Sequence, residues 1–169
     1  HHRRLDVCLY CNGLLIAVIE LKKAAHERTS AAGAHAQLAT YVKEFPLAFR
    51  SVLLTVASDG IGALYGTQFT GLDHCSPWNV DEEGAVVRPG DPTPFADEWN
   101  TPLAVLLHGI FNLDRFLQLL RGFTAFAETD AGLVKRIAKP HQYFAVTKAV
   151  GATVDATRSD GRAGVVWHT

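Results

Sequence analysis

The stretch Arg4-Leu5-Asp6-Val7-Cys8-Leu9-Tyr10-Cys11-Asn12-Gly13-Leu14-Leu15-Ile16-Ala17-Val18-Ile19-Glu20-Leu21-Lys22 decides the fold. Its first half is rich in strand formers and runs into Asn12-Gly13, a strong hairpin signal. Leu14 to Ile19 is the longest uninterrupted apolar run in the chain, as expected of a central strand buried on both faces. Glu20 ends that run at the edge of a core, and Lys22, two residues on, shares its face. Asp6 completes Asp-x13-Glu-x-Lys. Two carboxylates and an ammonium suit phosphodiester hydrolysis, which needs oxygen ligands for a hard divalent ion and a cation near the attacking water.

Turn length decides whether Asp6 joins that face. A two-residue loop at Asn12-Gly13 sets Asp6 and Glu20 on opposite faces of the sheet. A three-residue loop at Cys11-Asn12-Gly13, with Gly13 left-handed in a bulge, sets Asp6 opposite Val18. Glu20 is then its same-face diagonal neighbour, within ~7–8 Å. The metal-site reading therefore predicts the three-residue turn. The competing reading is a half-buried hairpin whose charges reach solvent at its frayed end.

Outward from the hairpin, the pattern predicts a mixed α/β fold. Thr29 or Ser30 is placed to cap a helix through Gln37 and Tyr41, with Pro46 just past its end. Ser51 to Ala57 reads as a strand, Ser58-Asp59-Gly60 as a turn and Ile61 to Tyr65 as the returning strand. Residues 73–98 hold four of the seven prolines and much of the acidic charge, and read as an irregular excursion. Leu103 to Gly122 predicts two short helices broken near Gly109. Pro140 opens a last helix through Val150, and Gly164-Val165-Val166-Trp167 begins another strand.

At 169 residues and 18.4 kDa the chain is the size of one domain, or of one domain plus a fragment. Hydrophobic residues at 48% against 20% charged allow a sizeable core and exclude a disordered chain. No apolar run approaches the ~20 residues that span a bilayer, and no stretch has a secretory layout. A cytoplasmic protein with no membrane partner is the expectation. The chain has no methionine and stops in mid-pattern, so it reads as a piece of a longer polypeptide. The net charge of -1 hides local balances of +3 over residues 1–50, -8 over 51–130 and +4 over 131–169. An overall basic signature for nucleic acid is thus absent. Cys8, Cys11 and Cys75 make no disulfide framework. Cys8 and Cys11, three apart on a strand, point to opposite faces, which favours buried apolar thiols over a zinc site with His74 and Cys75.

Asp6…Glu20-Leu21-Lys22 resembles the PD-(D/E)xK nuclease core. The wider wording, Arg4-Leu5-Asp6, then Asn12-Gly13-Leu14, then Glu20-Leu21-Lys22, is similar to the motor-nuclease (R) subunits of type I restriction enzymes. Those carry Arg-Pro-Asp where this chain has Leu5, a change that alters only the approach to the strand. Gln37-Leu38-Ala39-Thr40-Tyr41 resembles the Q-x-x-x-Y motif that follows the active site in this family and in RecB-type nucleases. Four apart on a helix, Gln37 and Tyr41 share a face. Ser58-Asp59-Gly60 and Gly66-Thr67 resemble the family's next strand pair, read here as architecture. Lys139 to Val146 resembles the Q-motif region of a superfamily 2 helicase motor, whose glutamine, here Gln142, reads adenine.

The resemblance implies a restriction-endonuclease-like core with a mixed central sheet and a catalytic β-hairpin flanked by helices. It divides the chain into an endonuclease domain at 1–130, lacking its N-terminal part, and a lead-in at 131–169 to the first RecA-like motor domain, cut before the phosphate loop. It implies Mg²⁺ or Mn²⁺ bound by Asp6, Glu20 and the Leu21 carbonyl, with Lys22, Gln37 and Tyr41 completing the catalytic set. ATP enters only in the intact subunit. Implied partners are double-stranded DNA and the methyltransferase and specificity subunits. A PD-(D/E)xK repair nuclease and a non-catalytic DNA-binding or docking module of the same fold are the alternatives.

Overall fold

Asn12 and Gly13 both take positive φ, 49° and 81°, in the computed structural model, which describes residues 2–23, 31–88, 91, 101–130 and 132–165. That conformation makes the turn a tight two-residue loop, the geometry Asn-Gly favours. It joins β1 (Val7–Cys11) to β2 (Leu14–Leu21), with Cys11 opposite Leu14 and Tyr10 opposite Leu15. The expected three-residue turn is therefore corrected. The register changes farther along instead: Leu9 lies opposite Ala17, which leaves Ile16 as the extra residue of a β-bulge. The Ile16 carbonyl accepts from Leu53 N at 2.7 Å, so the bulge is held from the neighbouring strand.

The bulge switches which side chains face which way. Leu15 and Val18, three apart, pack in one cluster, while Ala17 and Ile19 pack in the other. Beyond the bulge Val7 opposes Ile19, and the register carried one residue further sets Asp6 opposite Glu20. Both then lie on the Val18 face. β3 (Leu54–Ser58) pairs parallel to β2, and β4 (Ala63–Gly66) antiparallel to β3, giving a four-stranded mixed sheet in the order β1-β2-β3-β4. β2 and β3 are buried on both faces, as their apolar runs predict.

One face of this sheet is covered by α1 (Ala31–Glu44) and the short α2 (Pro46–Phe49), through Ala34, Leu38, Tyr41 and Phe49. The expected caps Thr29 and Ser30 lie outside the described residues. The first described backbone N–H of α1, from Ala31, donates to Asp59 Oδ2 at 3.1 Å. Asp59 Oδ1 meanwhile accepts from Ile61 and Gly62, closing the β3–β4 turn. One carboxylate thus ties the turn to the helix, and these amides hold it below the usual carboxylate range.

The other face carries α3 (Pro102–Phe111), α4 (Leu113–Gly122) and α5 (Pro140–Ala156), whose Leu106, Ile110, Leu119 and Tyr143 join Trp78 in the larger core. The break between α3 and α4 falls at Asn112, with a 69° bend, rather than near Gly109. Asn112 caps α4 by accepting from Arg115 N. Gly109 lies within α3 and leaves room for Trp78: a Cβ there would lie 2.1 Å from the indole. The excursion holds a 3-10 turn at Leu72–His74 and two isolated bridges, with 89–90 and 92–100 outside the described residues.

A hairpin that sequence reading did not anticipate, β5 (Thr124–Thr129) with β6 (Gly132–Ile137), forms a separate two-stranded sheet spanning 130/131. It is pinned to the main body by Thr67 Oγ1 donating to the Lys135 carbonyl, by Tyr65 OH donating to the Ala138 carbonyl, and by Lys135 Nζ reaching the Val52 carbonyl. The expected last strand is not formed at Gly164-Val165, and its remaining residues lie outside the described set. No single helix among the described residues is long and apolar enough to cross a membrane.

Candidate active site

Four residues from the hairpin, Asp6, Glu20, Leu21 and Lys22, meet two from α1, Gln37 and Tyr41. Glu20 is only 1% exposed because the apolar run of β2 carries it to the end of the buried strand. Its Oε1 accepts from Lys22 Nζ at 2.9 Å, the Lys22 side chain being 24% exposed. Lys22 Nζ also donates to Gln37 Oε1, and Gln37 Nε2 donates to Tyr41 OH. Tyr41 OH in turn donates to the Arg4 carbonyl at 3.0 Å. Gln37 cannot turn its amide around without breaking both contacts, so it fixes where the ammonium points.

Asp6 is held from the other side. Its Oδ2 accepts from Leu21 N at 2.9 Å. Arg3 makes a two-bond ion pair with Glu44 at 2.7 and 2.8 Å, tying the incoming segment to the end of α1. Lys22 N donates to the Ser58 carbonyl at 2.8 Å, which continues the β2–β3 ladder past Leu21. The Arg4 carbonyl has no signature in a sequence, because any residue supplies one. Asp59 was legible as a turn residue, and its hold on α1 was not.

Glu20 Oε2 is buried with no hydrogen-bond partner among the described residues. Burial pushes its carboxyl above the usual range, and the neighbouring Asp6 carboxylate pushes it further, while the Lys22 contact and charge oppose both. A buried orphan oxygen beside a second carboxylate is a place for a proton or a cation to sit. Among the described residues, no three His, Cys, Asp or Glu side chains are grouped to hold a metal. Two carboxylates and a backbone carbonyl fit a hard ion that keeps several of its own waters, which is how Mg²⁺ binds. The thiols take no part. Burial raises Cys8 and lifts Cys75 to about 11, and Cys11 is exposed near the hairpin tip rather than buried as expected.

Residues 1–74 match the family of the type I restriction enzyme R protein N terminus. Over those residues the chain is similar to that family. The full span is 34% identical over 168 residues to the type I restriction enzyme HindI endonuclease subunit of Haemophilus influenzae, covering 97% of this chain and 15% of that protein. It is 28% identical over 183 residues to a protein of Methanocaldococcus jannaschii that carries the name MjaIXP endonuclease subunit of a type I restriction enzyme, covering 98% of this chain and 16% of that one. The chain thus spans about one seventh of the length of these relatives. The R-protein family match takes in Asp6, Glu20, Lys22, Gln37 and Tyr41, and ends at His74.

Gln142 lies apart from this group, in the first turn of α5. Its Oε1 accepts from Lys139 N at 2.9 Å, so the side chain caps its own helix. The amide NH₂ remains for another partner.

Proposed function

We propose that this region is the metal-dependent DNA endonuclease domain of a type I restriction enzyme R subunit, with a restriction-endonuclease-like core, and that it hydrolyses phosphodiester bonds. The observation that carries the reading is the orphaned, buried Glu20 Oε2 set against Asp6, with Lys22 clamped beside it. Asp6, Glu20 and the Leu21 carbonyl would hold Mg²⁺ or Mn²⁺. Such an ion, when bound, lowers the pKa of a coordinated water and draws charge from the scissile phosphate. Lys22, oriented by Gln37 and Tyr41, places its positive charge where the attacking water and the phosphate oxygens meet. In the whole subunit, ATP-driven translocation and assembly with methyltransferase and specificity subunits on double-stranded DNA would accompany cleavage. Residues 131–169 would be the lead-in to the motor, with Gln142 at the adenine.

Nicking of supercoiled plasmid in Mg²⁺ or Mn²⁺ tests this. Wild-type protein should nick. Lys22→Ala should lose at least a hundredfold in rate without loss of fold, since one positioned charge at a transition state contributes about 3 kcal/mol. Equal nicking by the variant would leave a binding or docking module as the better reading.

A further inference from the structure

We infer that the groove between β6, the 69–74 loop and the first turns of α5 binds a single strand of nucleic acid, as a site separate from the one at Glu20. The groove encloses about 850 Å³. Its lining includes Lys135, Arg136, Lys139 and His74 and no aspartate or glutamate. Arg136 and Lys139 make no salt bridge among the described residues. Lys135 is not one of the groove's ligands, because its ammonium is spent on the Val52 carbonyl beneath the hairpin.

Strand pairing shows what the groove's floor is made of. Arg136 lies opposite Ala125 and Val134 opposite Ala127, all on the face away from Lys135 and Phe126. Small side chains opposite Arg136 leave its guanidinium exposed, and no acidic group on the floor neutralises it. Phe69, 48% exposed, lines the same groove. Cations for phosphates and an exposed ring for a base are the two components by which proteins hold unpaired strands.

Shape favours a strand over a single nucleotide. The lining runs from Thr129 at the hairpin turn to Lys139 past the far end of β6, roughly 20 Å at the usual strand rise. Position favours a second site over an extension of the first. The hairpin is pinned at Val52 and Thr67, the end of β3 and β4 away from Ser58, where Lys22 docks. Val52 to Ser58 is again roughly 20 Å.

The test is fluorescence anisotropy with a labelled oligo(dT) of about 15 nucleotides, in EDTA so that the two carboxylates at Glu20 repel phosphate. Arg136→Ala/Lys139→Ala should bind at least tenfold more weakly, with a salt slope shallower by about 1.4, two single-strand phosphate contacts. Phe69→Ala should cost about fivefold or more, the loss of one stacked base. Arg158→Ala/Arg162→Ala removes the same charge from exposed positions outside the groove and should bind as wild type. The proposal is overturned if wild-type protein does not bind the oligonucleotide at low salt, or if the groove variant matches the Arg158/Arg162 control. It is also overturned if ATP at equal concentration displaces the strand, which would mark a mononucleotide pocket.

Discussion

Glu20 illustrates at the residue scale how a site and a stable fold pull in different directions. A raised carboxyl binds its proton more tightly in the folded chain than in the unfolded one. Its contribution to stability is therefore greatest below the ordinary carboxylate value, declines as pH rises through the raised value, and stays unfavourable at neutral pH. Glu20→Gln removes that burden. The amide oxygen still accepts from Lys22, and the new NH₂ can donate to Asp6 where the glutamate leaves an orphan oxygen. The variant should be more stable than wild type in EDTA at pH 7 by about 1 kcal/mol, as when a functional group is traded for fit. Millimolar Mg²⁺ should raise the melting temperature of the wild type, through linkage to the folded state, and leave the variant unmoved. Paired thermal melts check both, and a variant that gains nothing in EDTA would show that the Glu20 charge is not strained. Asp59 has the opposite sign. Its lowered carboxyl stabilises the fold above the ordinary value near pH 4 and loses that effect as pH falls through the lowered one. Asp59→Asn should cost about 1 kcal/mol at pH 7, with the gap to wild type closing in acid melts.

At the scale of the element, the hairpin shows what a sequence discloses and what it hides. The strands, the Asn-Gly turn and the need for Asp6 and Glu20 to share a face were all legible. The device that achieves it was not. Turn chemistry favours the two-residue loop, whose parity on its own separates the carboxylates, and the sheet restores them to one face with the bulge at Ile16. Leu14 to Ile19 is uniformly apolar, so no alternation marks where one residue drops out of register. Nor did helical periodicity show that Gly109 sits under Trp78, a long-range contact that leaves no room for a side chain at that position of α3. Deleting Ile16 makes the bulge testable. The shortened β2 can pair without interruption and keeps Asp6 opposite Glu20, because the pairs beyond the bulge are already matched with Ile16 left out. A folded deletion variant should therefore retain the Mg²⁺-induced melting shift and its nicking activity together. Loss of both in a variant that still folds would mean that the bulge itself, and not the pairing alone, brings the carboxylates together.

The whole molecule places its candidate site at one end of the mixed sheet and its least anticipated element, the β5–β6 hairpin, at the other. Residues 124–137 escaped sequence reading because alternation there is weak: Phe126 and Leu133 are exposed, while Lys135 is buried through a carbonyl that lies 83 positions away. The hairpin's pairing crosses 130/131, and α5 sends Tyr143 into the core around Trp78, so the lead-in to the proposed motor begins as part of this body. Nucleotide turnover in such a motor rests on backbone amides and a lysine that cradle the phosphates. This chain contains no G-x-x-x-x-G-K. Gln142 has its carbonyl oxygen committed to Lys139 N, which leaves one amide group to meet an adenine edge. A single hydrogen bond of that kind contributes about 1 kcal/mol net, against about 8 kcal/mol for micromolar affinity. Calorimetry with ATP and Mg²⁺ should accordingly show no micromolar binding to these 169 residues, and phosphate release should stay at background. A chain extended through a phosphate loop should do both. Micromolar affinity in the short chain would place part of the motor's nucleotide site upstream of 131.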